Sequence, residues 1–128
     1  MLYTYTAVIH ESDGTFYVKV PDIDGCITTA KSLPEAINLI TDALSLALVV
    51  LEDEDIQPKQ PTPQSDIPHS SDDILTIIQA DTIKYRSLTD TKAVRKNVSL
   101  PAWMSNLADK RGINCSKVLQ DALLSVLS

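Results

Sequence analysis

Positions alternate at period two from the start of the chain. Tyr3, Tyr5, Ala7 and Ile9 fall on one side of residues 2–9, a stretch rich in β-branched and aromatic types that predicts a strand. Glu11-Ser-Asp-Gly14 reads as a turn, with Gly14 able to take a positive φ. Phe16, Val18 and Val20 then alternate with Tyr17 and Lys19 to give a hairpin partner. Pro21–Gly25 breaks that strand, and residues 26–30 read as a short third one. The period then changes to that of a helix. Ser32-Leu-Pro-Glu35 has capping-box spacing, and Ile37, Ile40, Leu44, Leu48 and Leu51 form a core stripe for a helix reaching to near Glu52. Ile74, Leu75, Ile77 and Ile78 predict a fourth strand over residues 73–81 that returns to the sheet, followed by a short helical turn at 82–88. Three strands, a helix and a late strand predict an α+β domain over residues 1–88.

Residues 56–71 hold Pro58, Pro61, Pro63 and Pro68 among Gln, Ser and Asp, which predicts an extended connector without core residues, the natural place for proteolysis. Just before it, Glu52-Asp-Glu-Asp55 puts four carboxylates at the helix C-terminus. The macrodipole disfavours negative charge there, so the run is expected to be solvated, frayed or taken up by a partner.

Alternation resumes at Ala93–Leu100, with Val94, Lys96, Val98 and Leu100 on one face and Ala93, Arg95, Asn97 and Ser99 on the other. Pro101 opens a helix over residues 103–111, Gly112 stops it, and Asn114 caps a second helix with adjacent stripes Val118/Ala122/Val126 and Leu119/Leu123/Leu127. A lone strand has no ladder partner, and two short helices cannot enclose so apolar a core. A second copy of the chain resolves both problems, so residues 92–128 are expected to dimerise around Val98, Leu100, Trp103, Leu107, Leu119 and Leu123.

Charge sharpens this division. Residues 1–90 carry 5 Lys/Arg against 15 Asp/Glu, whereas residues 91–128 carry 6 against 2, inside a chain of net charge −6. An acidic part joined to a basic one points to partners of opposite charge, one of them a nucleic acid. A paired ribbon would present Arg95, Asn97 and Ser99 twice, flanked by Lys92 and Lys96. These are base-reading types, and a two-stranded ribbon fits the major groove of operator DNA. The free amides of residues 114–117 (Asn114, Cys115, Ser116, Lys117) suit a phosphate.

Catalysis is not expected. Asp13, Asp22 and Asp24 fall in predicted turns, and no strand interior offers the converging carboxylates a two-metal nuclease needs. His10 and His69 have no metal-ligand spacing with Cys26 or Cys115, so neither metal nor cofactor is expected. Cys26 reads as a small packing residue. Two distant cysteines, no N-terminal signal pattern and no apolar run of membrane length give a cytoplasmic chain without a membrane partner.

The segment Arg95-Lys-Asn-Val-Ser-Leu-Pro101, with the stop at Gly112 and Gly-Ile-Asn-Cys-Ser116 opening the next helix, resembles the ribbon-helix-helix repressors of the Arc and MetJ type. The N-terminal part resembles the HicB antitoxins in Tyr5-Thr-Ala-Val-Ile9, Asp13-Gly-Thr-Phe-Tyr-Val18, Pro21-Asp-Ile-Asp-Gly-Cys26, Thr29 and Leu33-Pro-Glu-Ala36. The resemblance implies an antitoxin of a type II toxin–antitoxin system, with a truncated RNase H-like N-terminal domain lacking nuclease activity. Its partner would be a HicA-like toxin, a small basic mRNA-cleaving ribonuclease with a double-stranded-RNA-binding-like fold, in a complex that can build into higher assemblies. The ribbon-helix-helix module would repress the operon. Carboxylates can occupy the sites RNA phosphates would take on such a toxin, and Asp22, Asp24, Glu52, Asp53, Glu54 and Asp55 are the candidates. The competing reading is a ligand-responsive dimeric transcriptional repressor without a toxin partner.

Overall fold

The computed structural model describes all 128 residues, which form two compact units, Met1–Thr89 and Asp90–Ser128. The first unit is α+β. Strands β1 (Leu2–Ser12), β2 (Thr15–Lys19), β3 (Ile27–Ala30) and β4 (Ile74–Asp81) make an antiparallel sheet in the order β3-β2-β1-β4. β1 runs past its predicted end to Ser12, which pairs with Thr15 across a two-residue turn. Asp13 and Gly14 both take positive φ there, 52° and 76°, as the tight primed hairpin turn requires.

Helix α1 (Leu33–Asp53) packs on one face of the sheet. Its start follows the predicted cap: the Ser32 hydroxyl accepts from the Glu35 amide at 3.3 Å, while the Glu35 carboxylate reaches back to the Lys31 amide at 3.2 Å. Ala36, Ile40, Leu44 and Leu48 are fully buried against Tyr5, Ala7, Ile9, Val18, Ile78 and Ala80, and Ile37 and Leu51 flank them half-buried. α1 has the length and apolar composition of a membrane-crossing helix, but that stripe is committed to the sheet. Of the outcomes expected for its acidic end, fraying does not occur: the helix end is closed, while Asp53, Glu54 and Asp55 are exposed. Asp55 takes φ 57°, its amide bonds the Glu52 carbonyl, and the Ile56 amide bonds the Leu51 carbonyl at 2.9 Å. This is a Schellman closure made without glycine.

The predicted free connector is a strap. Tyr5 Oη donates to the Lys59 carbonyl, Thr62 is tied to Asp22, residues 64–66 form one 3₁₀ turn, and Ile67 is 3% exposed. Prolines made the segment extended, as expected. One apolar residue and two polar tethers were enough to hold it down. Helix α2 (Thr82–Thr89) follows β4 directly, with the Asp81 carboxylate accepting from the Ile83 and Lys84 amides.

The second unit contains α3 (Ala102–Lys110) and α4 (Cys115–Leu127). Gly112, at φ 63°, ends α3, where an L side chain would be strained. Asn114 caps α4 by accepting from the Lys117 amide at 3.1 Å. The strand predicted over Ala93–Leu100 is not formed within the single chain: these residues belong to no helix and pair with no strand. A ladder needs a second strand, and β1 to β4 pair only with one another.

Candidate functional site

The six acidic candidates of the first unit do not form one surface. Asp24, Asp53, Glu54 and Asp55 are exposed. Asp22 and Glu52 are engaged inside the unit, a role that spacing along the chain did not reveal. Glu52 Oε2 accepts from Tyr3 Oη at 2.8 Å and from the Thr82 hydroxyl at 3.0 Å, while its Oε1 lies 3.2 Å from Arg86 Nη2. Arg86 also reaches Asp53 at 2.9 Å, so α2 is clamped to the C-terminal end of α1. Burial alone would raise the Glu52 carboxyl, but hydrogen bonds from Tyr3, Arg86 and Thr82 outweigh it and hold the group below the usual range.

Asp22 is the other internal carboxylate, with its side chain 3% exposed. Its Oδ2 accepts from the Thr62 amide at 2.8 Å, its Oδ1 from the Thr62 hydroxyl at 2.6 Å, and Lys59 Nζ lies 3.2 Å away. Burial pushes its pKa up, and the Thr62 and Lys59 hydrogen bonds pull it further down. The folded pKa therefore lies below the unfolded one. Its contribution to stability is complete above about pH 3.9 and is lost as pH falls through the folded value. Asp22→Ala should cost about 1.5–3 kcal/mol, the range for hydrogen bonds to a charged group. It should also release the strap, so that trypsin cuts after Lys59 much faster than in the unaltered chain. An unchanged cleavage rate would show that Asp22 does not hold the segment.

Between α1 and this strap lies a groove of about 420 Å³, walled by Ala47, Val50, Leu51, Ile23 and Pro58, with Asp24 and Lys59 also lining it. Asp24 is the exposed acidic candidate that lines it. Cys26 is 2% exposed within the core, and burial raises its thiol pKa, an environment that suppresses the reactive thiolate. His10 lies 2.7 Å from Asp73 at the surface.

No residue of the second unit is buried; Ser105 and Ala108 alone are half-buried. Trp103 is 61% exposed and Leu123 46%, and Val98, Leu100, Leu107 and Leu119 are exposed with them. All six predicted core residues thus stand on an uncovered apolar surface. Lys92, Arg95, Lys96, Asn97 and Ser99 are exposed in the segment before α3, and Asn114, Cys115, Ser116 and Lys117 at the start of α4. Missed by sequence reasoning were Tyr3, Thr62, Thr82 and Arg86. None carries a local signal, because each acquires its role from a residue at least 30 positions away.

The chain thus joins an α+β unit rich in carboxylates to a basic helical pair with no buried residue of its own. A family profile described as "HicB_like antitoxin of bacterial toxin-antitoxin system" matches residues 5–122, and the chain belongs to that family. Solved structures share the fold. The chain is similar to one in the "Toxin-Antitoxin complex from Streptococcus pneumoniae" at TM-score 0.59 and 22% identity, covering 98% of this chain and 99% of that one. It is similar to the antitoxin HicB of Burkholderia pseudomallei at TM-score 0.53 and 22% identity, covering 95% and 94%. A chain of a "HicA3 and HicB3 toxin-antitoxin complex" matches at TM-score 0.51 and 22% identity, over 62% of this chain and 99% of that one. No curated protein matches the sequence.

Proposed function

We propose that this chain is the antitoxin of a type II toxin–antitoxin system. It neutralises a HicA-like mRNA-cleaving ribonuclease through its first unit, a truncated RNase H-like fold without nuclease activity. It represses its own operon in the cytoplasm through its second. Residues 92–128 of two copies form a ribbon-helix-helix dimer, with the segment around Asn97 pairing antiparallel and the four helices closing a shared core around Val98, Leu100, Trp103, Leu107, Leu119 and Leu123. The observation that carries this reading is the second unit itself: two capped, amphipathic helices and a basic segment in which no residue is buried. An apolar surface of that extent, on a fold with no interior, belongs against a partner. A copy of itself also supplies the missing strand.

On the paired ribbon Arg95, Asn97 and Ser99 read base edges while Lys92, Lys96 and the amides from Asn114 to Lys117 hold phosphates. Arg95→Ala and Asn97→Ala should each weaken operator binding by about 1–3 kcal/mol and relax specificity, leaving the dimer intact. Equal operator affinity of both variants in a salt-matched gel-shift titration would overturn the DNA half.

The toxin half rests on family membership and on the exposed carboxylates Asp24, which lines the groove, and Asp53, Glu54 and Asp55 at the end of α1, groups suited to the RNA-phosphate sites of a basic enzyme. The combined variant Asp24→Asn, Asp53→Asn, Glu54→Gln, Asp55→Asn should protect RNA from the co-expressed toxin at least about tenfold less well, a loss near 1.4 kcal/mol. Undiminished protection would place toxin recognition elsewhere on the unit.

A further inference from the structure

Helix α1 is apolar over more of its circumference than the sheet covers. The stripe Ile40/Leu44/Leu48 is fully buried, yet Leu46 is 52% exposed and Val50 45%, with Leu39 exposed and Ala43 half-buried in line with them. Leu39, Ala43, Leu46 and Val50 are separated by steps of four, three and four residues, the spacing of an apolar seam against which a second helix packs. The seam runs for about three turns along the flank of α1 turned away from Glu52 and α2. The small side chains of Ala43 and Ala47 leave hollows between the larger ones, and the seam ends in the groove that Ala47, Val50 and Leu51 wall. A line of charge runs beside it. Glu35, Asp42 and Asp53 follow one another at intervals of seven and eleven residues, about two and three turns, so they share the side of α1 adjoining Leu46. All three are exposed. Arg86 reaches Asp53, but no Lys or Arg forms an ion pair with Glu35 or Asp42.

We propose that this flank of α1 docks a basic amphipathic helix of the toxin. Its apolar side lies along Leu39, Ala43, Leu46 and Val50, and its Lys and Arg side chains meet Glu35, Asp42 and, at the groove, Asp24. The assignment rests on the toxin reading and names the surface and the kind of element it takes. Charge selects the occupant. A second acidic unit, or the anionic headgroups of a membrane, would bring negative charge against these carboxylates, whereas cations flanking an apolar stripe complement both lines at once. Spacing selects the element, because side chains at three- and four-residue intervals enter hollows of the same spacing.

Full-length variants at exposed positions test the surface. Leu46→Lys should protect RNA from the co-expressed toxin at least about tenfold less well than the unaltered chain, since it removes apolar contact and sets a like charge against the basic helix. Leu46→Lys combined with Val50→Lys should lose at least about a hundredfold. Asp42→Lys, which leaves the apolar seam intact, should also weaken protection. Tyr17→Lys, an equivalent change at an exposed residue on the opposite face of the sheet, should leave it unaltered. If the unaltered chain gives no protection, the toxin reading falls and the seam loses its occupant with it. If it protects and the Leu46 and Val50 variants protect equally well, the toxin reading stands and the α1 surface alone is overturned. Lost self-association or vesicle binding in those variants would then give the seam to a second copy or to a membrane. An equal loss of protection in Tyr17→Lys would overturn it too. The urea midpoint should not move in Leu46→Lys; a midpoint that falls would mean that Leu46 packs inside the unit, and would equally refute the proposal.

Discussion

Leu123→Asp should turn a dimer into a 14.0 kDa monomer and abolish operator binding. Leu123 lies in the α4 stripe, 46% exposed in the single chain, and the proposed function puts it in the shared core of two copies. Removing two leucines from that core forfeits about 3–6 kcal/mol, at about 1.5–3 kcal/mol each. Burying two carboxylates adds a desolvation cost, which they would avoid only by protonation or by separation of the chains. At 1.4 kcal/mol per decade, dimer affinity falls at least about a hundredfold. Operator affinity falls with it, since one copy offers half of a two-stranded ribbon and one half-site. Light scattering and a gel shift on the same sample check both consequences. A surviving dimer would mean that α4 does not line the interface. A monomer with undiminished operator binding would mean that the ribbon does not read DNA.

Glu52→Ala should have the largest effect on the first unit. The carboxylate is the shared acceptor of Tyr3, Thr82 and Arg86, residues from β1 and α2 that meet at the end of α1. Deleting it leaves the Tyr3 phenol without its acceptor, the Thr82 hydroxyl with the Met1 carbonyl alone, and Arg86 with Asp53 and the Val49 carbonyl. A loss of about 1.5–3 kcal/mol is expected in urea titration, concentrated in the docking of α2. The pH profile distinguishes this cluster from ordinary packing. Glu52 is held below its usual range, so the unfolded chain takes up a proton first. Its contribution is complete above about pH 4.3 and is lost as pH falls through the folded value. Tyr3 acts at the other extreme. Burial, then the hydrogen bond to Glu52, pushes its phenol up to about 12. Above the ordinary value near 10 the unfolded chain sheds a proton that the folded chain keeps, so stability falls as pH rises towards 12. Tyr3→Phe should shrink the alkaline arm, leaving the share of Tyr5, whose phenol burial also raises, and keep the acid arm in place. An alkaline arm of unchanged size in Tyr3→Phe would assign it to other groups.

The same carboxylates show how far the chain could be read directly. Asp24, Asp53, Glu54 and Asp55 are as exposed as an acidic run ought to be. Asp22, two positions from Asp24, is almost wholly covered because Thr62 comes back to it from 40 residues along the chain. Glu52, next to Asp53, is claimed by Tyr3, Thr82 and Arg86. Nothing in the tetrad Glu52–Asp55 marks its first member as different. The strap departs from the expected connector for a related reason: prolines announce an extended segment, but whether it lies on a surface depends on tethers such as Tyr5 and Asp22. Ile67, 3% exposed, is its apolar anchor, whereas Ile56 stays 50% exposed.

What the sequence by itself determined are the features governed by neighbours in the chain. The Ser32 and Asn114 caps, the stop at Gly112 and the stripe Ile40/Leu44/Leu48 each follow from the local φ preferences and hydrogen-bonding geometry of a few consecutive residues and formed as read, while the turn expected over Glu11–Gly14 tightened to Asp13-Gly14. Tertiary structure decided the rest: which acidic residues are internal, that the proline-rich stretch is held down, and that β4 takes the outer place beside β1 with its edge open. Those outcomes depend on contacts between residues about 30 to 80 positions apart, whose partners no local pattern specifies.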